Sequence, residues 1–106
     1  MNDYIWLHYS LPRTDWFELA EAERAEHETR FEQVRQESAT SGATLTGRFH
    51  VRGQGDFSHV EAWTFPTAQA AFDHWSRLVH AGYVHDYEFA NQLGAADPAS
   101  GLDEEK

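Results

Sequence analysis

The stretch Leu45–Phe65, L-T-G-R-F-H-V-R-G-Q-G-D-F-S-H-V-E-A-W-T-F, constrains the fold more than any other part of the chain. Two runs rich in β-formers flank the glycine-bearing turn Gly53-Gln54-Gly55-Asp56, the pattern of a β-hairpin. With Gln54 and Gly55 as a two-residue loop, His50 lies opposite His59, Arg48 opposite Glu61 and Thr46 opposite Trp63. The other face pairs Phe49 with Val60 and Gly47 with Ala62. Side chains alternate with a period of two, so this register separates a polar-aromatic face from a small apolar one.

The rest of the chain supplies partners for that hairpin. Residues Tyr4–Leu11 alternate as a strand, with Ile5, Leu7, Tyr9 and Leu11 on one side and Tyr4, Trp6, His8 and Ser10 on the other. Pro12 and Arg13 end it, and Asp15 with Glu18 forms a capping-box-like start to a helix. That helix is expected from about Trp16 to Ser38, with a broken apolar stripe and a wet face rich in Glu and Arg. Ala39-Thr40-Ser41-Gly42 stops it. After the hairpin, Thr67 can cap a second helix over about Ala68–His80, with Gly82 as its stop. Tyr83–Leu93 reads as a last strand around Asp86–Asn91, with a short helix as the competing reading. One domain over residues 1–93 and a flexible acidic tail over 94–106 are expected.

The order strand, helix, strand, strand, helix, strand is the ferredoxin-like βαββαβ plan: an α+β fold with a four-stranded antiparallel sheet in the order 4-1-3-2. Choosing the more uniformly apolar side as the covered one, the helices are expected over Ile5, Leu7, Tyr9, Leu45, Phe49, Val51, Val60 and Ala62. Tyr4, Trp6, His8, Arg48, His50, His59, Glu61, Trp63 and Phe65 are then left on an open face. That face carries too many large aromatics for bare solvent, so it calls for a second subunit.

Composition removes several function classes. There is no cysteine, hence no disulfide, thiolate chemistry or cysteine-ligated metal. The 18 acidic residues outnumber 8 basic ones, for a formal net charge of -10, which repels nucleic-acid phosphates. The lysine shortage fits either a high-salt habitat or an arginine-favouring genome. No apolar run is long enough to span a bilayer and no signal pattern opens the chain, so no membrane partner and a cytoplasmic location are expected. Gly53-Gln54-Gly55 lacks the strand-turn-helix setting of a phosphate loop, and no serine has a nucleophile-elbow setting.

The element order, the length and the aromatic sheet face over Tyr4–Leu93 resemble the dimeric α/β-barrel superfamily. The superfamily includes small antibiotic-biosynthesis-type monooxygenases, isomerases, haem-binding or haem-degrading proteins and many uncharacterised members. The resemblance implies a homodimer joined through the open sheet face around a central cavity. His50, His59, Glu61, Arg48 and His8 are the candidate catalytic groups: a near-neutral histidine moves a proton, a carboxylate orients it, and Arg48 holds an anion. Trp6, Trp63, Tyr4 and Phe65 are the candidate substrate-binding groups, stacking on an aromatic or planar organic molecule. Histidine-assisted proton transfer in a cofactor-independent monooxygenase or isomerase is the expected function, with no cofactor and no metal. The alternatives are a non-catalytic homodimer whose histidines are interface groups, a metal-binding protein using His50, His59, Glu61 and His8, and a haem-binding protein using His74, His80 or His85. A haem-degrading role is disfavoured, because Trp6 and His8 stand in the first strand where that group wants an asparagine.

Overall fold

The computed structural model describes residues 2–53 and 55–96. Strands β1 (Tyr4–Pro12), β2 (Thr44–His50), β3 (His59–Phe65) and β4 (Tyr87–Ala95) form one antiparallel sheet in the order β2-β3-β1-β4. This is the expected ferredoxin-like arrangement. The helices are α1 (Thr14–Glu18), α2 (Glu21–Thr40), α3 (Ala68–His80) and α4 (Tyr83–Asp86).

The hairpin register matches the sequence reading from His50↔His59 through Gly47↔Ala62. Val51 N–H extends it by donating to the Ser58 carbonyl at 2.9 Å, while Gln54 of the expected loop lies outside the described residues. One pair differs. A bulge between Leu45 and Gly47 leaves Thr46 without a partner and places Leu45, not Thr46, opposite Trp63. The extra residue turns Leu45 toward the helices, where it packs on the core.

The expected long helix is two. The chain breaks at Leu19 and Ala20, both extended, and α2 restarts with Ala20 N–H donating to the Glu23 carboxylate at 2.9 Å. Thr67 caps α3 as expected, its hydroxyl accepting from Ala70 N–H at 3.0 Å. Gly82 ends that helix at φ 93°, a conformation glycine adopts without Cβ strain. Both readings of the following segment hold in part: α4 occupies one turn, then β4 runs to Ala95, past the expected boundary at residue 93. Of the expected tail, residues 97–106 lie outside the described residues.

The assignment of the two sheet faces is reversed. The helices cover the side carrying Trp6, His8, Glu61, Trp63 and Phe65. Trp6, Trp63 and Phe65 join Phe31, Val34, Ala71, Leu78 and Tyr83 in the core, so these aromatics are not on an open face. Ile5, Leu7, Tyr9, Phe49, Val51 and Ala62 lie on the bare side, with Ile5 44% and Phe49 55% exposed. The Phe49 ring lies over Gly47, close enough that a Cβ there would meet it at 2.6 Å. The physical reason for the reversal is that the two titratable groups buried on the covered side find partners from outside their own strands, His8 from α4 and β4 and Glu61 from α2, which makes burial of that side affordable in a way alternation does not reveal.

Candidate functional site

Two of the hollows among the described residues hold expected site residues beside His8 and Glu61. The first carries the charged groups. Ser10 and Pro12 at the end of β1, Arg48 of β2, His59 and Glu61 of β3, Glu28 and Arg35 of α2, and Tyr87 of β4 line a cleft of 230 Å³ that Phe49 and Val60 also border. Three expected catalytic residues, Arg48, His59 and Glu61, meet here. Glu61 sits at the centre. Its Oε2 lies 3.1 Å from Arg35 Nη2 and 3.4 Å from Arg48 Nε, and its Oε1 accepts from Trp63 Nε1–H at 3.0 Å. Burial pushes the Glu61 carboxyl up, but Arg35, the Trp63 N–H, Arg48 and His8 together outweigh it and hold the pKa below the ordinary value. Glu61 is therefore an ionised, fully partnered carboxylate. Arg48 is also drawn toward Glu32, at 3.9 Å, so its charge is shared between carboxylates. His59 and His50 are exposed and stack on each other with centroids 4.5 Å apart.

The second concavity is apolar. Trp6 of β1, Ala71, Phe72 and Trp75 of α3, and Asn91 and Leu93 of β4 enclose 160 Å³. Phe72, Phe89 and Leu93 are large hydrophobic side chains exposed on the surface, and Phe89 lies 4.5 Å from Trp75, beside the pocket. Aromatic walls around one polar side chain are the usual make-up of a small-ligand pocket, and an apolar cavity near 150 Å³ accommodates a single benzene-sized ring.

His8 lies between the two. It stacks on Trp6 at 5.0 Å and tilts against Trp75 at 5.6 Å, both walls of the apolar pocket. Its ring nitrogens meet the Tyr83 hydroxyl at 2.7 Å and Asn91 Oδ1 at 2.6 Å. Burial is the main cause that lowers its pKa, opposed by Asn91 and Glu61, so the ring is neutral at pH 7. Of the expected substrate-binding groups, Trp6 walls the apolar pocket. Trp63 and Phe65 are 1% exposed and closed off in the core, and Tyr4 packs against that core half-buried.

Arg35, Tyr83, Asn91, Ser38 and the burial of His74 are not among the groups that the sequence singles out. His74 is 0% exposed, ringed by Trp6, Trp63 and Phe65, with Nδ1 2.5 Å from Ser38 Oγ. One signal was available: His74 stands three residues after Ala71 and four before Leu78, on the apolar stripe itself. Arg35 and Asn91 carried no local signal, because their partners are far away in sequence.

The chain matches no protein-family model and no curated protein. Its likeness is to solved structures. A mutant chlorite dismutase from Candidatus Nitrospira defluvii superposes with a TM-score of 0.74 at 14% identity, over 92% of this chain and 41% of that one. A second protein assigned as a chlorite dismutase gives 0.73 at 18% identity, over 94% and 46%. A haem-binding protein from Thermus thermophilus gives 0.59 at 16% identity, over 94% and 46%. The fold is shared with these structures: a four-stranded antiparallel sheet covered on one face by helices. This chain spans less than half the length of each of those structures.

The α3 histidines do not fit haem. His74 is sealed in the core: its Nδ1 meets Ser38, and although its Nε2 has no partner among the described residues, the ring is walled by Trp6, Trp63 and Phe65 and borders none of the hollows. His80 is exposed at the end of α3, on an open groove with Arg30, Gln33, Val34, Glu37, Ser76, Arg77 and Ala81 that offers no aromatic wall. His85 is exposed on α4. Among the described residues no group of three His, Cys, Asp or Glu side chains is placed to hold a metal ion, and no helix is long and apolar enough to cross a membrane.

Proposed function

We propose that this chain binds a small aromatic or planar organic molecule in the pocket between α3 and strands β1 and β4, and acts on it by histidine-assisted proton transfer. The carrying observation is the 160 Å³ cavity walled by Trp6, Phe72, Trp75 and Leu93 with Asn91 as its polar side chain. His8 packs against two of those walls and is neutral, but both of its ring nitrogens are hydrogen-bonded within the subunit, so it takes a proton from the ligand only when the Tyr83 O–H turns away from Nε2. Proton abstraction from the organic molecule opens either an isomerisation or a cofactor-independent monooxygenation, in which a CH2 of the substrate is oxidised to a carbonyl by dioxygen, one oxygen atom entering that carbonyl and the other leaving as water, with all four electrons coming from the substrate. Glu61, Arg35 and Arg48 act from the far side as a fixed charge cluster, and His50 and His59 lie at the rim of the polar cleft.

The active form in this reading is a homodimer. The second copy covers the bare sheet face, where Ile5 and Phe49 are exposed and Tyr9, Val51, Phe57 and Ala90 border a hollow of 380 Å³ with Arg52 and Gln92. The joining face is thus the opposite of the one expected from sequence.

Titration with toluene, followed by two-dimensional amide and indole NMR, tests the ligand site. Shifts concentrated at the Trp6 and Trp75 indole N–H and at Ala71 are expected. Shifts confined to Tyr9 and Ala90, or none, would overturn it. Exchange of the methyl hydrogens of acetophenone in deuterium oxide tests the chemistry: acceleration by the protein, lost in His8→Phe, is expected. A non-catalytic binding protein is the second reading, favoured by the complete pairing of Glu61 and His8 within the subunit. Binding without exchange would select it.

A further inference from the structure

Tyr83, His8 and Asn91 form a hydrogen-bonded row that starts in the core and ends at the wall of the apolar pocket. Its direction follows from which groups can donate. Tyr83 is 4% exposed, and burial raises its pKa against a lowering contact from Ser10, so the phenol keeps its hydrogen. A buried O–H needs an acceptor, and His8 Nε2 stands 2.7 Å away. A neutral imidazole has one acceptor nitrogen and one donor. With Nε2 accepting, the hydrogen sits on Nδ1, which donates to Asn91 Oδ1 at 2.6 Å. The carbonyl end of the Asn91 amide is thereby committed inward. No side-chain hydrogen bond among the described residues uses its NH2 end, and Asn91 lines the pocket.

We propose that Asn91 is the specificity-determining residue of this pocket, selecting aromatic molecules that carry an oxygen acceptor, such as an aryl carbonyl or a phenolate, over hydrocarbons of the same shape. His8 and Tyr83 are positioning residues that fix which end of the amide faces the ligand. The inference rests on the pocket of the preceding subsection being the ligand site. It adds a directional donor to an otherwise apolar cavity, and a site built to donate discriminates against a ligand that leaves the donor unpaired.

The test compares acetophenone with ethylbenzene, which has nearly the same shape and no oxygen. Dissociation constants are measured by calorimetry for the wild type, Asn91→Leu, Asn91→Asp and Tyr83→Phe. In Asn91→Leu, acetophenone should weaken relative to ethylbenzene by about fivefold or more. Asn91→Asp keeps an acceptor for His8, replaces the amide donor with a carboxylate, and should show the same loss, which covers the case that the leucine variant does not fold. Tyr83→Phe frees the His8 tautomer, so the preference for acetophenone should fall while ethylbenzene affinity holds. A merely structural Tyr83 would move both ligands together, which would overturn its positioning role. An unchanged ratio in both Asn91 variants would overturn the selection by Asn91 and leave the pocket standing. Failure of the wild type to bind either compound would overturn the pocket and the selection with it.

Discussion

Replacing His74 with glutamine should remove about one proton from the pH dependence of folding between pH 6.5 and pH 4. The imidazole is 0% exposed, with Trp63 4.7 Å, Trp6 5.1 Å and Phe65 5.5 Å away between ring centroids. Burial is the main cause that brings its pKa from 6.5 down to about 4; the Glu61 charge opposes this, and Arg77, His8 and Arg35 add to it. The unfolded chain titrates this group near its ordinary value. As pH falls below 6.5 the unfolded state takes up a proton that the folded state refuses until about pH 4. Stability contributed by neutral His74 is therefore present above pH 6.5 and declines through that window. The full decline is about 3 kcal/mol, set against a typical total of ~5–15 kcal/mol for a domain.

His8 also has a lowered pKa, so in this range the wild type should take up more on unfolding than the His74 proton alone. Glu61 acts in a different window. Its pKa is depressed in the folded state, so its contribution holds above its ordinary value and is lost below about pH 4.5. Urea unfolding followed by tryptophan fluorescence, in half-unit steps from pH 7 to pH 4, measures the slope directly. His74→Gln loses packing and starts from a lower stability, but slope rather than absolute stability is the readout. Parallel curves for the variant and the wild type would show that His74 binds its proton equally well folded and unfolded, and the burial argument would be refuted.

Arg35→Met should destabilise the protein by about 3 kcal/mol at pH 7, because it strands the partly buried Glu61 carboxylate with only Arg48 and the Trp63 N–H. Adding Glu61→Gln should recover much of that loss, measured as a double-mutant cycle in urea; simple additivity would contradict the pairing. Phe49→Asp, on the bare face, should leave monomer stability within about 1 kcal/mol while halving the mass seen by light scattering, and an unchanged mass would count against the proposed interface. Gly82→Ala should cost about 1 kcal/mol from its left-handed backbone, since the space around an added Cβ is ample; an unchanged melting temperature would speak against strain.

Local signals carried the element order and much of the hairpin. Alternation in Tyr4–Leu11 and Leu45–Phe65 defined strands, Thr67 and Gly82 bracketed α3, and the His50–His59 register followed from the glycine-bearing turn. Each is decided within a few residues, so each is legible in the chain. The Thr46 bulge and the break at Leu19 and Ala20 were not, since both depend on what the segment packs against.

The sequence by itself established that Trp6, His8, Arg48, His50, His59, Glu61, Trp63 and Phe65 share one side of the sheet, because a period of two permits nothing else once the strands pair. Only the tertiary structure decided that the helices cover that side. Alternation is symmetric between faces, and apolarity pointed to the wrong one. The choice turns on partners distant in the chain: Arg35 reaches Glu61, Tyr83 and Asn91 reach His8, and Ser38 reaches His74. Burying a polar side chain costs least when such a partner arrives, and its arrival is a property of the folded chain rather than of any stretch of it.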